Sequence, residues 1–403
     1  MQAVIVGGGI AGFATAVALH RAGADPIVLE RTAGFADDVG SWLQVASNGV
    51  AALRELGLGA AVSAIGVPTP RLQTFDPRGR LTADLPLGLQ DDGATTRSLD
   101  RADLYRLLRT EVQRRGITIV TGARVLSAVD EGNRASVLTE TSERFTADVV
   151  IGADGVGSAV RRTFGGHGPG PDAATSREVL APIVSIGGTY SGSGLTDAEA
   201  GTTGTLQFRF GRDCFVSTMR VDASTVMWFA NPRLSTVAGG VDVAVGMSGP
   251  EWVAELPRLV GRDVLPLAAL SAGSRSVDVW ASRTTPRPVQ WGRGRVVLIG
   301  DAAHAIPPTA GQGASLALED AVVLGSLVAG GTPATTLAVR MQELRSRRVD
   351  AVTRQGEMLD RSKTLGVVGS ALRDRLVLPG AAFAARRAHM GPAAWMYRFD
   401  PST

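Results

Sequence analysis

Cysteine is nearly absent: Cys214 stands alone in 403 residues. A lone thiol rules out an internal disulfide and a cysteine-built metal centre; it fits a reducing compartment and reads as core rather than catalytic. The four histidines, His20, His167, His304 and His389, show no metal-ligand spacing. No apolar run reaches the roughly eighteen residues of a membrane helix, and the opening MQAVIV passes directly into glycines instead of forming a signal peptide. The expectation is a cytoplasmic protein without an integral membrane segment. Charge of either sign is in short supply as a patch: 41 Lys+Arg against 38 Asp+Glu give a net +3, with the basic residues dispersed. That pattern does not suggest nucleic-acid binding. One basic stretch, RDRLVLPGAAFAARRAHM at 373–390, alternates arginines with apolar residues and reads as a solvated face rather than a membrane contact. Nothing resembles a covalent-nucleophile arrangement.

What is abundant is apolar sequence, 44% of the chain, enough for large cores. AVIV at 3–6, a helical stretch GGGIAGFATAVALHRAGA and PIVLE form a βαβ unit. ITIVTGARV (117–125), ADVVIGADG (147–155) and RVVLIGDAA (295–303) have the near-continuous apolar character of strands covered on both faces of a parallel sheet. Between 176 and 282 the texture becomes alternating, as in TLQFRFG, CFVSTMRVD and TVMWFANP, with Gly, Asp and Ser turns. RLQTFDPRGRLTADLPL (71–87) reads as a hairpin turning at DPRG and joining that second sheet.

The fold class expected is therefore α/β: a Rossmann-like parallel-sheet domain from 1–70, 97–172 and 283–335, interleaved with a β-rich domain from 71–96 and 173–282. A helical, Arg-rich segment, 336–403, follows and is expected to pack across the rear.

Gly7, Gly9 and Gly12 form a G-x-G-x-x-G directly after a strand and at the start of a helix, with Glu30 and Arg31 at the end of the next strand. Gly7 permits the tight turn, Gly9 lets backbone approach a pyrophosphate, and Gly12 lets helix lie on strand, so that the helix N-terminus faces the diphosphate. Glu30 is placed to accept from a ribose 2′-hydroxyl. The pattern specifies a dinucleotide, FAD or NAD, without choosing between them.

Two distant motifs make that choice. DVVIGADGVGSAVRR holds Asp154 and Gly155; VLIGDAAHAIPPTAGQGASLALED holds Gly300 and Asp301. With the first fingerprint, in this order and separation, they resemble the group A FAD-dependent monooxygenases, the para-hydroxybenzoate hydroxylase-like hydroxylases and epoxidases, over residues 1 to about 335. The resemblance implies that Gly7, Gly9, Gly12 and Glu30 hold the ADP end of FAD and that Asp154-Gly155, with Arg161 near the motif's close, serves FAD and the nicotinamide. It also implies that Asp301 binds the ribityl chain, and that Arg101 in SLDRADLYRLL lies near the pyrophosphate. On the residues alone, Asp301 sits where open parallel sheets bind ligands and is also a suitable helix N-cap; Arg101 could equally pair with Asp103 or Glu111. The sequence departs from the family at Gly40-Ser41-Trp42-Leu43, where a Gly-x-Gly is common, and at Ser47, where a proline often precedes the Asn. Trp42 could narrow the pocket or belong to the core.

The chemistry the resemblance implies is reduction of FAD by NADH or NADPH, reaction with O2 to a flavin C4a-hydroperoxide, and oxygen transfer to an aromatic or polycyclic molecule. No second G-x-G-x-x-G provides a standing nicotinamide domain. A dehydrogenase or reductase on the same scaffold, and a FAD-bound protein that sequesters an intermediate without oxygenating it, are the alternatives. Pro307, Pro308, Gly311, Gln312 and Gly313 lead into the helix ASLALEDAVVLGSLV, whose N-terminus suits the negative charge of a reduced flavin ring. His304, in the same loop, reads as structural rather than as a general base. In the alternating region Tyr190, Gln207, Arg209, Arg220 and Trp228 are the candidates for substrate contact, with Gln207 and Arg209 on one face. Tyr190 is placed first, as a phenol able to bind or help deprotonate a phenolic substrate. High Ala, Gly and Arg content associates the chain with GC-rich bacterial genomes and natural-product tailoring or aromatic catabolism.

Overall fold

The computed structural model describes the chain except for residues 36–41, 90–93, 165–178, 261–262, 264–265, 286–289, 364, 389–392 and 401–403; for 179–183, 241–242, 281–282 and 388 it describes backbone alone. Gly40, Ser41, His167 and His389 therefore lie outside the described residues.

The apolar runs assemble into a six-stranded sheet in the order Gly292–Arg293, Val296–Leu298, Val149–Gly152, Gln2–Val6, Asp25–Glu30, Thr118–Thr121, parallel except at its two-residue edge. Their continuous hydrophobicity has a direct cause. Ala3, Ile5, Val149 and Ile151 face the helices Ile10–Arg21 and Gly313–Ala329, while Val4, Val6 and Val150 face a three-stranded antiparallel sheet through Val125, Ala128 and Val137. Both faces are buried, so neither can be polar. The expected strand 117–125 is in fact two pieces. Gly122, at φ +72°, ends Thr118–Thr121 and sends Val125–Asp130 into the covering sheet; an apolar run alone does not register such a corner.

The alternating region forms a seven-stranded sheet ordered Asp278–Thr284, Val179–Ser191, Thr225–Pro232, Cys214–Arg220, Thr205–Phe210, Arg71–Phe75, Leu81–Pro86. Arg71–Phe75 and Leu81–Pro86 pair antiparallel and join the sheet edge, with the turn closed by Asp76 N–H to the Arg80 carbonyl at 3.0 Å and Gly79 N–H to the Asp76 carbonyl at 2.9 Å. The insertion is not β throughout: helices Gly240–Gly246, Gly249–Val260 and Leu267–Ala272 bury Trp252, Leu256, Leu259, Leu267 and Leu270 against one face of the sheet. Cys214 is in that core, where burial pushes its thiol up, with Asp263 and Asp213 adding to the effect.

The C-terminal segment is helical, as expected, but does not lie at the rear. Leu337–Lys363 is a 27-residue helix, about 40 Å long at 1.5 Å per residue. Gly356 on it meets Ala310 and Pro307 so closely that an added Cβ would lie 3.1 Å from Ala310 Cβ, and Lys363 at its end reaches into the central cavity. Among the described helices none is long and apolar enough to cross a membrane.

Candidate functional site

At the carboxyl ends of Gln2–Val6, Val149–Gly152 and Val296–Leu298 the chain turns three times on glycine. Gly7, at φ +106°, has no room for a side chain: a Cβ would sit 2.5 Å from the Ala153 carbonyl oxygen, and one on Gly12 would fall 1.8 Å from the Gly7 oxygen. Gly9 differs, since a Cβ there would meet nothing and its backbone lines open cavity. Closeness of strand and helix thus explains two glycines, and room for a ligand explains the third. Glu30 accepts from Gly8 N–H at 2.8 Å and from Thr32 N–H and Oγ at 2.9 and 2.8 Å, which fixes the carboxylate beside the glycine turn; Arg31 is exposed just beyond it.

Gly155, at φ +78°, lines the cavity, but the Asp154 carboxylate is turned away from it. It accepts from Ser158 Oγ at 2.5 Å and from the Ala159 and Val160 amides at 2.7 and 3.2 Å, capping the short helix Ala159–Arg162. Asp154 thereby shapes the loop, and the backbone does the lining. Arg161, buried, donates to the Ala302 carbonyl at 2.7 Å and to that of Val156, binding this loop to the one after Asp301.

Gly300, at φ +53°, sits where a Cβ would press on Ala11 Cβ at 3.0 Å and Ala317 Cβ at 3.2 Å. Asp301 has protein on all sides but is exposed in the cavity it lines. Burial pushes its carboxyl above the ordinary value, while His304 and Arg101 pull it down. Arg101 lines the same cavity; its rival partners are engaged, Asp103 by Arg106 and Glu111 by Arg114 and Arg115.

The turn is held from beneath by a buried network absent from the sequence reading. Asp320 accepts from Gly300 N–H at 3.0 Å, lies 2.6 Å from His304 Nε2, and accepts from Arg345 Nε at 2.9 Å. Burial alone would raise its carboxyl; His304 and Arg345 outweigh that and hold it well below the usual range. Glu319 takes Arg345, Arg348 at 2.6 Å and Asn48 Nδ2 at 2.7 Å. His304 stacks on Trp291 with centroids 4.9 Å apart, so the structure gives it a supporting position. The signal for Glu319 and Asp320 was in the sequence: adjacent acids inside an otherwise apolar helix require buried partners.

Gly311, Gln312, Gly313 and Pro308 line the cavity, and Pro307 packs behind them. The first amides of helix Gly313–Ala329 lack intrahelical acceptors. Gln312 Oε1 accepts from Asn48 Nδ2 at 2.8 Å, and its Nε2 is buried without a protein partner.

These loops open on one cavity of about 570 Å³ whose opposite wall is the seven-stranded sheet. Register decides which residues form that wall. Trp280, Ser185, Asn231 and Phe215 lie in one row across four strands, flanked by Phe208 and Phe229, and Trp42 leans on Phe229 at 5.7 Å. The substrate-contact expectations for Gln207, Arg209, Arg220, Trp228 and Tyr190 are corrected by the same parity, since none lines the cavity. Gln207 and Arg209 share a face, the far one. Arg209 bonds Gln207 Oε1 at 2.8 Å and the Ala198 carbonyl, and Arg220 bonds the Gly201 and Leu195 carbonyls at 2.8 Å each, so both guanidinia pin the 195–201 loop. Trp228 Nε1 donates to Ser274 Oγ at 2.9 Å, and Tyr190 is buried in that same core, its hydroxyl accepting from Gly194 N–H. Sequence reasoning missed Phe208, Phe229, Asn231, Trp280 and Lys363; polar residue type drew attention to the wrong face. Among the described residues no cluster could hold a metal ion.

A glycine-lined crevice at parallel strand ends, closed by a second sheet with an aromatic wall, defines the class: a dinucleotide-binding fold with a cavity between two sheets. A profile of the FAD binding domain family matches residues 1–188 and 247–355. The 3-amino-4-hydroxybenzoate 2-monooxygenase of Streptomyces cremeus is 31% identical over 386 residues, covering 89% of this chain and 86% of that one. The aurachin C monooxygenase/isomerase of Stigmatella aurantiaca is 28% identical, over 87% and 86%. The fold is that of Klebsiella pneumoniae HpxO, solved with FAD and uric acid, at a TM-score of 0.80 and 23% identity over 97% of each chain. The chain belongs to the group A FAD-dependent monooxygenases; it is a flavin-dependent monooxygenase with FAD as its cofactor.

Proposed function

We propose that this protein is a single-component monooxygenase that uses NADH or NADPH and O2 to hydroxylate or epoxidise an aromatic or polycyclic small molecule in the cytoplasm. The observation that carries the reading is the continuity of the cavity: Gly9, Arg101, Asp301 and Gln312 line one part and Trp42, Phe208, Phe229 and Trp280 another. The activity for which the Streptomyces relative is named, on an aminohydroxybenzoate, supports an aromatic substrate.

Bound FAD supplies the redox chemistry with nicotinamide and dioxygen. The chain's residues divide the remaining work. Glu30 would accept from the ADP ribose, and with Gly7 and Gly12 setting the tight strand–helix turn, Gly9 would admit the diphosphate to the start of helix Ile10–Arg21, with Arg101 as counter-charge. Asp301, fixed by the Gly300 turn, would accept from ribityl hydroxyls. The residues at the start of helix Gly313–Ala329 line the cavity, where their amides would favour negative charge on the flavin ring; Pro307, Pro308 and Gly311 hold that loop in place. The aromatic wall excludes water and stacks on substrate. On this reading 1–70, 97–172 and 283–335 form the FAD-binding unit, 71–96 and 173–282 the substrate unit, and 336–403 the helical segment that joins them.

The test is oxygen stoichiometry in reconstituted enzyme supplied with NADH or NADPH and a panel of phenols and polycyclic aromatics. Substrate-stimulated oxidation consuming one O2 and placing one labelled oxygen atom in product is expected. Turnover without O2 on an organic acceptor would establish a dehydrogenase, and a bound but unchanged compound a sequestering protein.

A further inference from the structure

Lys363 is the last residue of the long C-terminal helix, and its side chain is only 3% exposed. It nevertheless lines the cavity. Of the described lining residues three carry formal charge, and two of these, Arg101 and Asp301, belong with the cofactor loops; Lys363 is the third, beside the aromatic wall. Its Nζ lies 2.6 Å from Asn231 Oδ1, 2.6 Å from Thr309 Oγ and 3.4 Å from Asp360 Oδ1, and 4.6 Å over the Phe215 ring.

A buried ammonium demands compensation. Two neutral oxygens, the Asp360 carboxylate, which also accepts from Thr309, and an aromatic face supply part of it. Burial still pushes the amine down to about 8, against the pull of Asp360. Asn231 is itself oriented: its Nδ2 donates to Ser185 Oγ at 2.8 Å and to the Val184 carbonyl at 3.1 Å, so its carbonyl oxygen must point to Lys363. Thr309 belongs to the turn Pro308–Ala310 that leads into the flavin-facing helix. The cation is thus held at the meeting of sheet, cofactor loop and C-terminal helix, on the wall of the cavity.

We propose that Lys363, presented by Asn231 and Thr309, is the anion-recognising element of the substrate cavity, so that this enzyme selects aromatic molecules bearing an ionised oxygen, carboxylate or phenolate. The inference rests on the aromatic-monooxygenase reading and adds the substrate's charge to it. A purely structural cross-link between sheet and loop would not distinguish an acid from its neutral analogue.

Three probes separate the sources of charge: 3-amino-4-hydroxybenzoate, its carboxamide, which keeps only the phenol, and 3-amino-4-methoxybenzoate, which keeps only the carboxylate. Binding to the FAD-loaded enzyme is read from flavin absorbance and from quenching of tryptophan emission, for which Trp42 and Trp280 line the cavity. Wild type is expected to bind at least one ionised probe about tenfold or more tighter than its neutral counterpart, the range of a charge-assisted hydrogen bond. Lys363→Met should erase that preference, and Lys363→Arg should retain it. Should Lys363→Met lose FAD or fold poorly, Asn231→Asp tests the same point by placing a competing carboxylate on the lysine, again abolishing the preference for acids. An unchanged acid-to-neutral ratio in these variants, or no wild-type preference for any ionised probe, overturns the proposal. Acid preference without oxygen incorporation would sustain the anchor and refute the oxygenase reading; oxygenation of neutral aromatics without acid preference would do the reverse.

Discussion

The two sheets meet the same cavity by different physical rules. At the parallel sheet the site is built from main chain: Gly7, Gly12 and Gly300 occupy places where a Cβ would lie 1.8–3.0 Å from a neighbouring atom. At the seven-stranded sheet it is built from side chains, and membership depends on which of two faces a residue takes. Phe208 lines the cavity while Gln207 and Arg209 on either side of it do not. A steric constraint is recorded in residue type itself. A choice of face is recorded only in relation to the rest of the sheet.

The sharpest break of this contrast is Gly12→Val. With no space at the strand–helix contact the variant should lose FAD altogether, giving a colourless preparation by flavin absorbance, whereas a substitution of similar size on the second sheet should leave the cofactor in place.

The next largest effect concerns what lies beneath the cofactor loop. Arg345→Met removes the partner of two buried carboxylates, Glu319 and Asp320, and should cost about 3–5 kcal/mol in urea unfolding. The pH dependence follows from the carboxyl of Asp320, lower in the folded than in the unfolded chain. Its stabilisation is complete above the ordinary value of 3.8 and is lost as pH falls through and below that range. Asp320→Asn should therefore flatten the fall in stability between about pH 5 and 3 relative to wild type, as followed by acid titration of circular dichroism.

The smallest effect sharpens the second half of the contrast. Trp42→Leu, on the cavity wall against Phe229, should weaken binding of an aromatic substrate about two- to tenfold by loss of ring contact. Arg209→Gln, on the far face, should leave that affinity within about twofold while loosening the 195–201 loop. Titration of flavin absorbance compares the two directly.

The same rules explain how far the sequence could be read. The parallel sheet, the hairpin at 71–87, the interleaving and the glycines of the tight turns were legible because periodicity and turn chemistry are local. Gly122 was not, since a corner within an apolar run carries no local mark. Asp154 was legible as a motif member, yet its carboxylate caps a helix, which only the position of Ser158 and the Ala159 amide reveals. Tyr190, Arg209, Arg220 and Trp228 were chosen for chemical capability, yet Tyr190 and Trp228 serve the core behind the sheet and the two arginines hold the 195–201 loop. Lys363 lay in a stretch that read as a rear support, because helical periodicity gives no hint of where a helix end arrives.

That helix also sets a constraint on how the enzyme can change. Arg345 and Lys363 are eighteen residues apart on one continuous rod, five full turns at 3.6 residues each. Removing a single residue between them would swing Lys363 by about 100° around the axis and draw it back about 1.5 Å, with Arg345 still locked on Asp320. Length in this stretch is therefore under tighter restraint than composition. Gly356, packed on Ala310 and Pro307, lies on the same stretch, so a change of its length would also disturb the cofactor loop.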